Sequence, residues 1–256
     1  MKVTNWRKKL AVAIAAAGIW IPSVAQAVNI PLADPSFEAF TVPGSGYAYA
    51  NTYRPTSGWV DDLDHSTGNY VQDNASSNWL YNTAYGEDGP PFRGAPRTGD
   101  QAMHGFYRYS AQEVVDTFQA GMTYTFSLWA QGDNNAVAGG ASTAYLYIFD
   151  GSIPFLESGP GTAIVQSYFS GAGGQFANRG TPMTQEQSQA NWTQLSTSYT
   201  VAPGSPLVGH PIGVAFYLGE DISVDDATLT AVPEPTTVLL VSMGGLALLT
   251  GRRRRS

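Results

Sequence analysis

The sequence predicts an all-β domain, an antiparallel β-sandwich, carried between two targeting segments. Three observations predict it. Apolar residues in the middle of the chain recur with a period of two rather than 3.6; the runs are short and divided by turns rich in Gly, Pro and Asn; and no stretch carries a convincing amphipathic helical stripe. Because each half-buried strand needs a second sheet to cover its apolar face, some nine short strands point to a sandwich.

The N-terminus opens with Lys2, Arg7, Lys8 and Lys9, continues as an apolar run from Leu10 to Ile21, and closes on Ala25-Gln26-Ala27. Small residues at the two positions a signal peptidase reads make residues 1–27 a cleavable signal peptide, with a mature start at Val28. The apolar run is far shorter than the ~20 residues a bilayer-spanning helix needs.

Between Val28 and Ala231 only Arg54, Arg93, Arg97, Arg108 and Arg179 are basic, against nineteen acids, so the body has a formal charge of −14 and no lysine. Such a surface repels phosphate backbones, which argues against nucleic acid and against anionic membrane surfaces as partners, and favours divalent cations. Charge of this sign also serves plain solubility. The chain has no cysteine, so disulfides, thiol catalysis and thiolate metal sites are excluded. About 200 residues suffice for one core, and one domain, 28–231, is expected.

Within the body the clearest strand is Met122 to Ala130, with Tyr124, Phe126, Leu128 and Ala130 on one face and Gly121 and Gly132 as punctuation. Ile212, Val214, Phe216 and Leu218 align inward in a second. Similar runs span Ala111 to Phe118, Ala144 to Phe149, Ala163 to Phe169, Trp192 to Val201 and Ile222 to Leu229. The segments 61–100 and 170–191 do not look like strands, and loops of that length in a compact domain tend to be functional or disordered.

The 61–100 insertion interleaves Tyr70, Trp79, Tyr81 and Tyr85 with Asn69, Asn74, Asn78 and Asn82. Sugars offer apolar C–H faces and hydroxyl rims, so aromatic rings beside amides suit them, and Trp79, Tyr81 and Tyr85 are the expected ligand-binding residues. Taking Asp62 as the first position, Asp64, Ser66 and Asp73 fall at the third, fifth and twelfth, the spacing of an EF-hand-type calcium loop, although Thr67 stands where glycine is required. Trp59, Trp129 and Trp192 sit in or beside strands and are expected in the core.

The C-terminus reads Val232-Pro233-Glu234-Pro235, then an apolar segment over 236–251, then Arg252, Arg253, Arg254 and Arg255. The four arginines favour the cytoplasmic side and leave the body across the membrane. The segment makes ~24 Å of helix, shorter than a ~30 Å hydrocarbon core, and Gly244 and Gly245 weaken it further as a permanent anchor. In motif, helix and arginine cluster this tail resembles the PEP-CTERM family of exported proteins. The resemblance implies recognition by an exosortase at Val232, Pro233, Glu234 and Pro235, an inner-membrane-anchored precursor, and a destination at the bacterial cell surface or in the extracellular matrix of biofilm-forming cells.

Asp34-Pro35-Ser36-Phe37-Glu38, Gly58-Trp59, Ala120 to Phe126, Trp192, and Ile222 to Leu229 with its Asp225-Asp226 pair stand in an order similar to that of the galactose-binding-like jelly rolls, which include many carbohydrate-binding modules. The resemblance implies that the first and last strands are neighbours and that a structural Ca²⁺ sits where they meet, with Glu38 and Asp225 as side-chain ligands and Asp226 as the alternate. Two carboxylates with backbone carbonyls and water can supply the six to eight oxygens Ca²⁺ takes. Solvated strand-end acids are the plain alternative.

No Gly-x-Ser-x-Gly elbow, His-Glu-x-x-His or phosphate-cradling glycine loop is present, and His65, His104 and His210 are scattered. The expectation is therefore a non-catalytic protein that binds polysaccharide. A matrix protein without sugar binding and, further off, a polysaccharide-cleaving enzyme with two facing carboxylates are the alternatives.

Overall fold

A computed structural model describes residues 26–39, 47–49, 58–59, 79–82, 96–104, 108–132, 143–153, 163–170, 190, 192–219 and 222–234. Residues 27–232 form one compact unit, and the two targeting segments fall outside it. Eleven strands run through the described residues: β1 (Val28–Ile30), β2 (Tyr47–Tyr49), β3 (Trp79–Asn82), β4 (Gln101–His104), β5 (Arg108–Thr117), β6 (Met122–Gly132), β7 (Thr143–Asp150), β8 (Ala163–Ser170), β9 (Thr193–Thr200), β10 (Pro211–Leu218) and β11 (Ile222–Pro233).

They make two sheets. One follows the order β2-β3-β4-β11-β6-β9, with β1 pairing on β11; the other follows β5-β10-β7-β8. Every register resolved is antiparallel. The protein is thus an all-β sandwich, and its first and last strands are neighbours.

Period-two alternation builds the core. Phe126 and Leu128 of β6 and Ile212, Val214, Phe216 and Leu218 of β10 are fully buried, while Thr123 and Thr125 of β6 bond Thr200 and Ser198 of β9 on the opposite face at 2.7 and 2.8 Å. At the centre Trp59 packs against Phe216 at 5.1 Å and Phe37 at 5.9 Å between ring centroids, and its indole N–H donates to the Asp34 carbonyl at 3.0 Å. A buried indole with its one donor satisfied is a stable anchor.

The 61–100 insertion departs from expectation. It contains β3, whose Trp79 and Tyr81 stand opposite Tyr49 and Tyr47 of β2 and His104 and Ala102 of β4. β4 escapes a periodicity reading because all four of its residues are buried, leaving no polar alternation to see. At the other end, β11 runs two residues beyond the expected domain boundary, to Pro233.

Candidate functional site

The outer face of the four-stranded sheet carries a row of tyrosines. Tyr109 of β5 stands opposite Tyr217 of β10, Tyr217 opposite Tyr145 of β7, and Tyr145 opposite Tyr168 of β8. Directly opposed residues share a face, so four phenol rings cross the sheet in register, over ~14 Å at the usual strand spacing. Their centroids lie 4.9 Å apart for Tyr109 and Tyr217, 5.8 Å for Tyr217 and Tyr145, and 4.9 Å for Tyr145 and Tyr168.

The next rows along the strands are small in the middle and aromatic to one side. Ala111 stands opposite Ala215 and Ala215 opposite Tyr147, while Gly213 faces Phe149. A Cβ on Gly213 would run into the Phe149 ring, so glycine here is a packing requirement. Tyr147 stacks on Tyr145 at 6.2 Å and 15°. Burial raises its phenol pKa well above the ordinary value, with Tyr109, through charge and a hydrogen bond, and then Tyr145 and Tyr217 adding to the rise. The tyrosine face thus spans buried Tyr147, 2% exposed, in the neighbouring row and open Tyr168, 48% exposed, at the end of the row. Neutral, amphipathic rings with hydroxyl tips can pack on apolar C–H faces and bond hydroxyl rims together.

None of these tyrosines was among the ligand residues expected from the sequence. The local signal was Tyr145-x-Tyr147-x-Phe149 alternating with Leu146 and Ile148, a strand aromatic on one face and aliphatic on the other. Of the expected residues, Trp79 and Tyr81 are placed on β3, in the other sheet, and Tyr85 lies outside the described residues, as do the Asp62 to Asp73 loop and His65.

A second cluster lies where β1 leads into the 31–39 segment and meets β11. The Glu38 carboxylate accepts N–H groups from Asp100 and Gln101 at 2.8 and 2.7 Å. Asp225, fully buried, accepts from Arg97 at 2.9 Å and Thr98 at 3.1 Å through one oxygen and from Asp226 at 2.8 Å through the other. Asp226, at φ 48°, holds the Arg97 guanidinium and the Thr98 hydroxyl, the latter at 2.7 Å, while Arg97 stacks 3.9 Å over Trp129. One five-residue segment, 96–100, thus binds all three acids expected as metal ligands. Gly99, at φ 59°, is required there, because a Cβ would strike the Glu38 carboxylate.

Burial at this corner disfavours the charged form of its carboxyls. Burial, with Asp226 adding its charge, pushes Asp225 up to about 8 despite three backbone donors. Asp34, in the same 34–38 turn as Glu38, is raised by burial, partly opposed by backbone hydrogen bonds, with Glu38 adding. Its Oδ2 is buried without a hydrogen-bond partner among the described residues. No three His, Asp or Glu side chains converge as a metal cage among the described residues. A hard cation needs carboxylate, carbonyl and water oxygens together; among the described residues Glu38, Asp225 and Asp226 already accept donors from the 97–101 segment, and Asp34 Oδ2 is the buried carboxylate oxygen without a partner. Asp34 is the acid the ligand expectation left out.

Among the described residues, His104 and His210 do not form a nucleophilic triad. His104 is buried, with Nδ1 3.1 Å from the Ser223 hydroxyl. His210 Nδ1 meets Asp150 at 2.8 Å and Ser152 at 3.4 Å, and the Ser152 hydroxyl also donates to Asp150 at 2.6 Å. A nucleophilic triad needs serine and aspartate on opposite ring nitrogens; here both share one, and the trio caps the turn after β7. Burial tends to raise the Asp150 pKa, but the bonds from Ser152 and His210 prevail and hold it below its ordinary value.

At the end of β11, Val232 and Pro233 close the strand and Glu234 follows, whereas Pro235 and Arg252 to Arg255 lie outside the described residues. The model of the PEP-CTERM protein-sorting motif matches residues 231–255. The chain carries a PEP-CTERM sorting tail. It is therefore an exported protein with a C-terminal sorting segment, and exosortase processing goes with that motif.

The sequence matches no curated protein. Among solved structures, the fold is similar to that of a Stig cyclase, Fisc from Fischerella sp. TAU, crystallised with (3Z)-3-(1-methyl-2-pyrrolidinylidene)-3H-indole. The TM-score is 0.54 and the identity 13%, over 82% of this chain and all of that one. Carbohydrate-binding modules also appear among the similar structures: a CBM4 at 17% identity, covering 68% of this chain and 94% of that one, with a TM-score of 0.32, and the CBM22-1 xylan-binding domain of Paenibacillus barcinonensis Xyn10C at 12%, covering 70% and 88%, with 0.33. At 13% identity, the likeness to Fisc speaks to the arrangement of strands and not to ligand or reaction.

Proposed function

We propose that this is a non-catalytic surface or matrix protein that holds an extended polysaccharide on the tyrosine row. Signal peptidase removes residues 1–27, the 236–251 helix anchors the precursor in the inner membrane, and an exosortase acts at the Pro-Glu-Pro motif before the body reaches the cell surface or biofilm matrix. The observation that carries the binding reading is the register of Tyr109, Tyr217, Tyr145 and Tyr168 across four strands. A ring platform longer than one sugar favours a chain over a monosaccharide, and the −14 body favours neutral or cation-bridged glycans over nucleic acid. Trp79, Tyr81 and Tyr85 of the insertion are proposed as additional contacts. A structural Ca²⁺, held by Glu38 and Asp225 with Asp226 as alternate, would clip the ends of the body together and leave the tyrosine face to the glycan.

A glycan array with the mature body tests this. The parent should retain at least one polysaccharide, and Tyr145→Ala and Tyr168→Ala should each weaken that affinity about tenfold, the equivalent of ~1.4 kcal/mol. A parent that retains nothing, or a Tyr145→Ala form that binds as the parent does, overturns the reading and leaves an adhesive protein without sugar binding.

A further inference from the structure

The two ends of the folded body meet in one ladder. Val28 stands opposite Ala231, Asn29 opposite Thr230, and Ile30 opposite Leu229. On the same strand β4 reaches only Ser223 and Val224, so the rungs nearest the tail are covered by β1. β11 ends at Pro233, which has no N–H to continue a ladder, and Glu234 follows without regular structure.

The sorting motif, matched over 231–255, therefore begins inside the last rungs of a sheet. Pro235 stands four positions beyond Ala231, no more than ~14 Å of fully extended chain. An enzyme that takes up an extended segment engages the main-chain groups that such a ladder occupies. β6 lies along one edge of β11 and β1 covers the other over Leu229 to Ala231, so the main-chain groups of that second edge are unavailable while β1 stays in place.

We infer that β1 is a strap over the sorting site, and that opening its three rungs controls the rate at which the tail is removed. The inference rests on the sorting reading above. One side chain holds the strap: Ile30 is 3% exposed within the main core, whereas Val28 is 57% exposed and Asn29 is exposed. A three-residue strand fastened by a single buried residue opens locally, without unfolding the sandwich behind it. The mature N-terminus thus regulates processing at the opposite end of the sequence.

The chain has no cysteine, so Asn29→Cys with Thr230→Cys introduces a single possible intramolecular disulfide between directly opposed residues, within the Cα separation a disulfide spans. Full-length precursor is followed by mass in membranes containing the sorting enzyme. The oxidised pair should keep its tail about tenfold longer than the same protein under reductant, and Ile30→Ala should lose it faster than the parent. A Gly/Ser spacer of about ten residues between Val232 and Pro233 should make removal indifferent to the cross-link. If the oxidised precursor loses its tail at the parent rate while the spacer form is also processed, the strap is overturned and the sorting reading stands. If no form loses its tail, the spacer form included, the sorting reading falls and the strap with it.

Discussion

Replacing Asp225 by Asn should flatten the pH dependence of the domain's stability. Asp225 is fully buried on β11 beside Asp226, and the segment that covers it, 96–100, offers it backbone N–H groups while its one cation, Arg97, is directed to Asp226. With a folded pKa near 8 against an ordinary value of 3.8, the native state keeps a proton that the unfolded chain releases. The stabilisation is therefore complete below the unfolded value and is lost as pH rises towards 8. At ~1.4 kcal/mol per unit the whole span is worth about 6 kcal/mol, and the part between pH 5 and 8 about 4 kcal/mol, or ~8–16 °C in Tm for a domain of this size. Ca²⁺ at a hundred times its Kd would return about 2.7 kcal/mol at the alkaline end. The assay is thermal unfolding of the mature body from pH 5 to 8, with Ca²⁺ or with EDTA. The parent in EDTA should lose Tm steadily across that range, Ca²⁺ should restore part of it at pH 8, and Asp225→Asn should be flat and insensitive to both additions. Asn keeps two of the three backbone bonds, so it should start ~1–3 kcal/mol lower at pH 5. A parent curve that is level in EDTA, or an Asn curve with the parent's slope, refutes the reasoning about the buried charge; a parent Tm at pH 8 indifferent to Ca²⁺ refutes the proposed ion.

Gly99→Ala places a methyl group against the Glu38 carboxylate on a backbone that favours glycine, and should cost ~1–3 kcal/mol by urea unfolding, with a weaker response to Ca²⁺. Gly213→Ala drives a methyl group into the Phe149 ring, on the same face as the tyrosine row and two rows along, and should lower stability by ~1–3 kcal/mol and weaken glycan binding through the displaced platform. A Gly213→Ala protein as stable as the parent would show that Phe149 can move aside.

The strands most legible in the sequence were those with one wet face. Tyr124, Phe126, Leu128 and Ala130 alternate with Thr123, Thr125 and Ser127, and the structure buries all four on one side. The longer strands of the body lie close to their expected runs, the larger differences being three more residues at the start of β5, two more at the end of β6 and four more at the end of β11. β4 was hidden by burial on both faces, and β1, β2 and β3 by their three or four residues, too short for a period to declare itself. The orphaned Asp34 oxygen, and the Arg97 segment whose groups bind Asp225 and Asp226, left no signal in the sequence.

By itself, the sequence determined export with a sorting tail, the fold class, and, through the absence of cysteine, the exclusion of disulfide and thiol chemistry. Export and sorting signals act as linear stretches of charge and hydropathy, and strand periodicity is a property of neighbours along the chain, so each survives without a folded partner. The tyrosine row, the corner around Asp225 and the junction of Val28 with Ala231 were decided only in three dimensions. Each unites residues from strands far apart in the chain, and their register follows from how two sheets bury their inner faces, a constraint that acts on the whole sandwich at once.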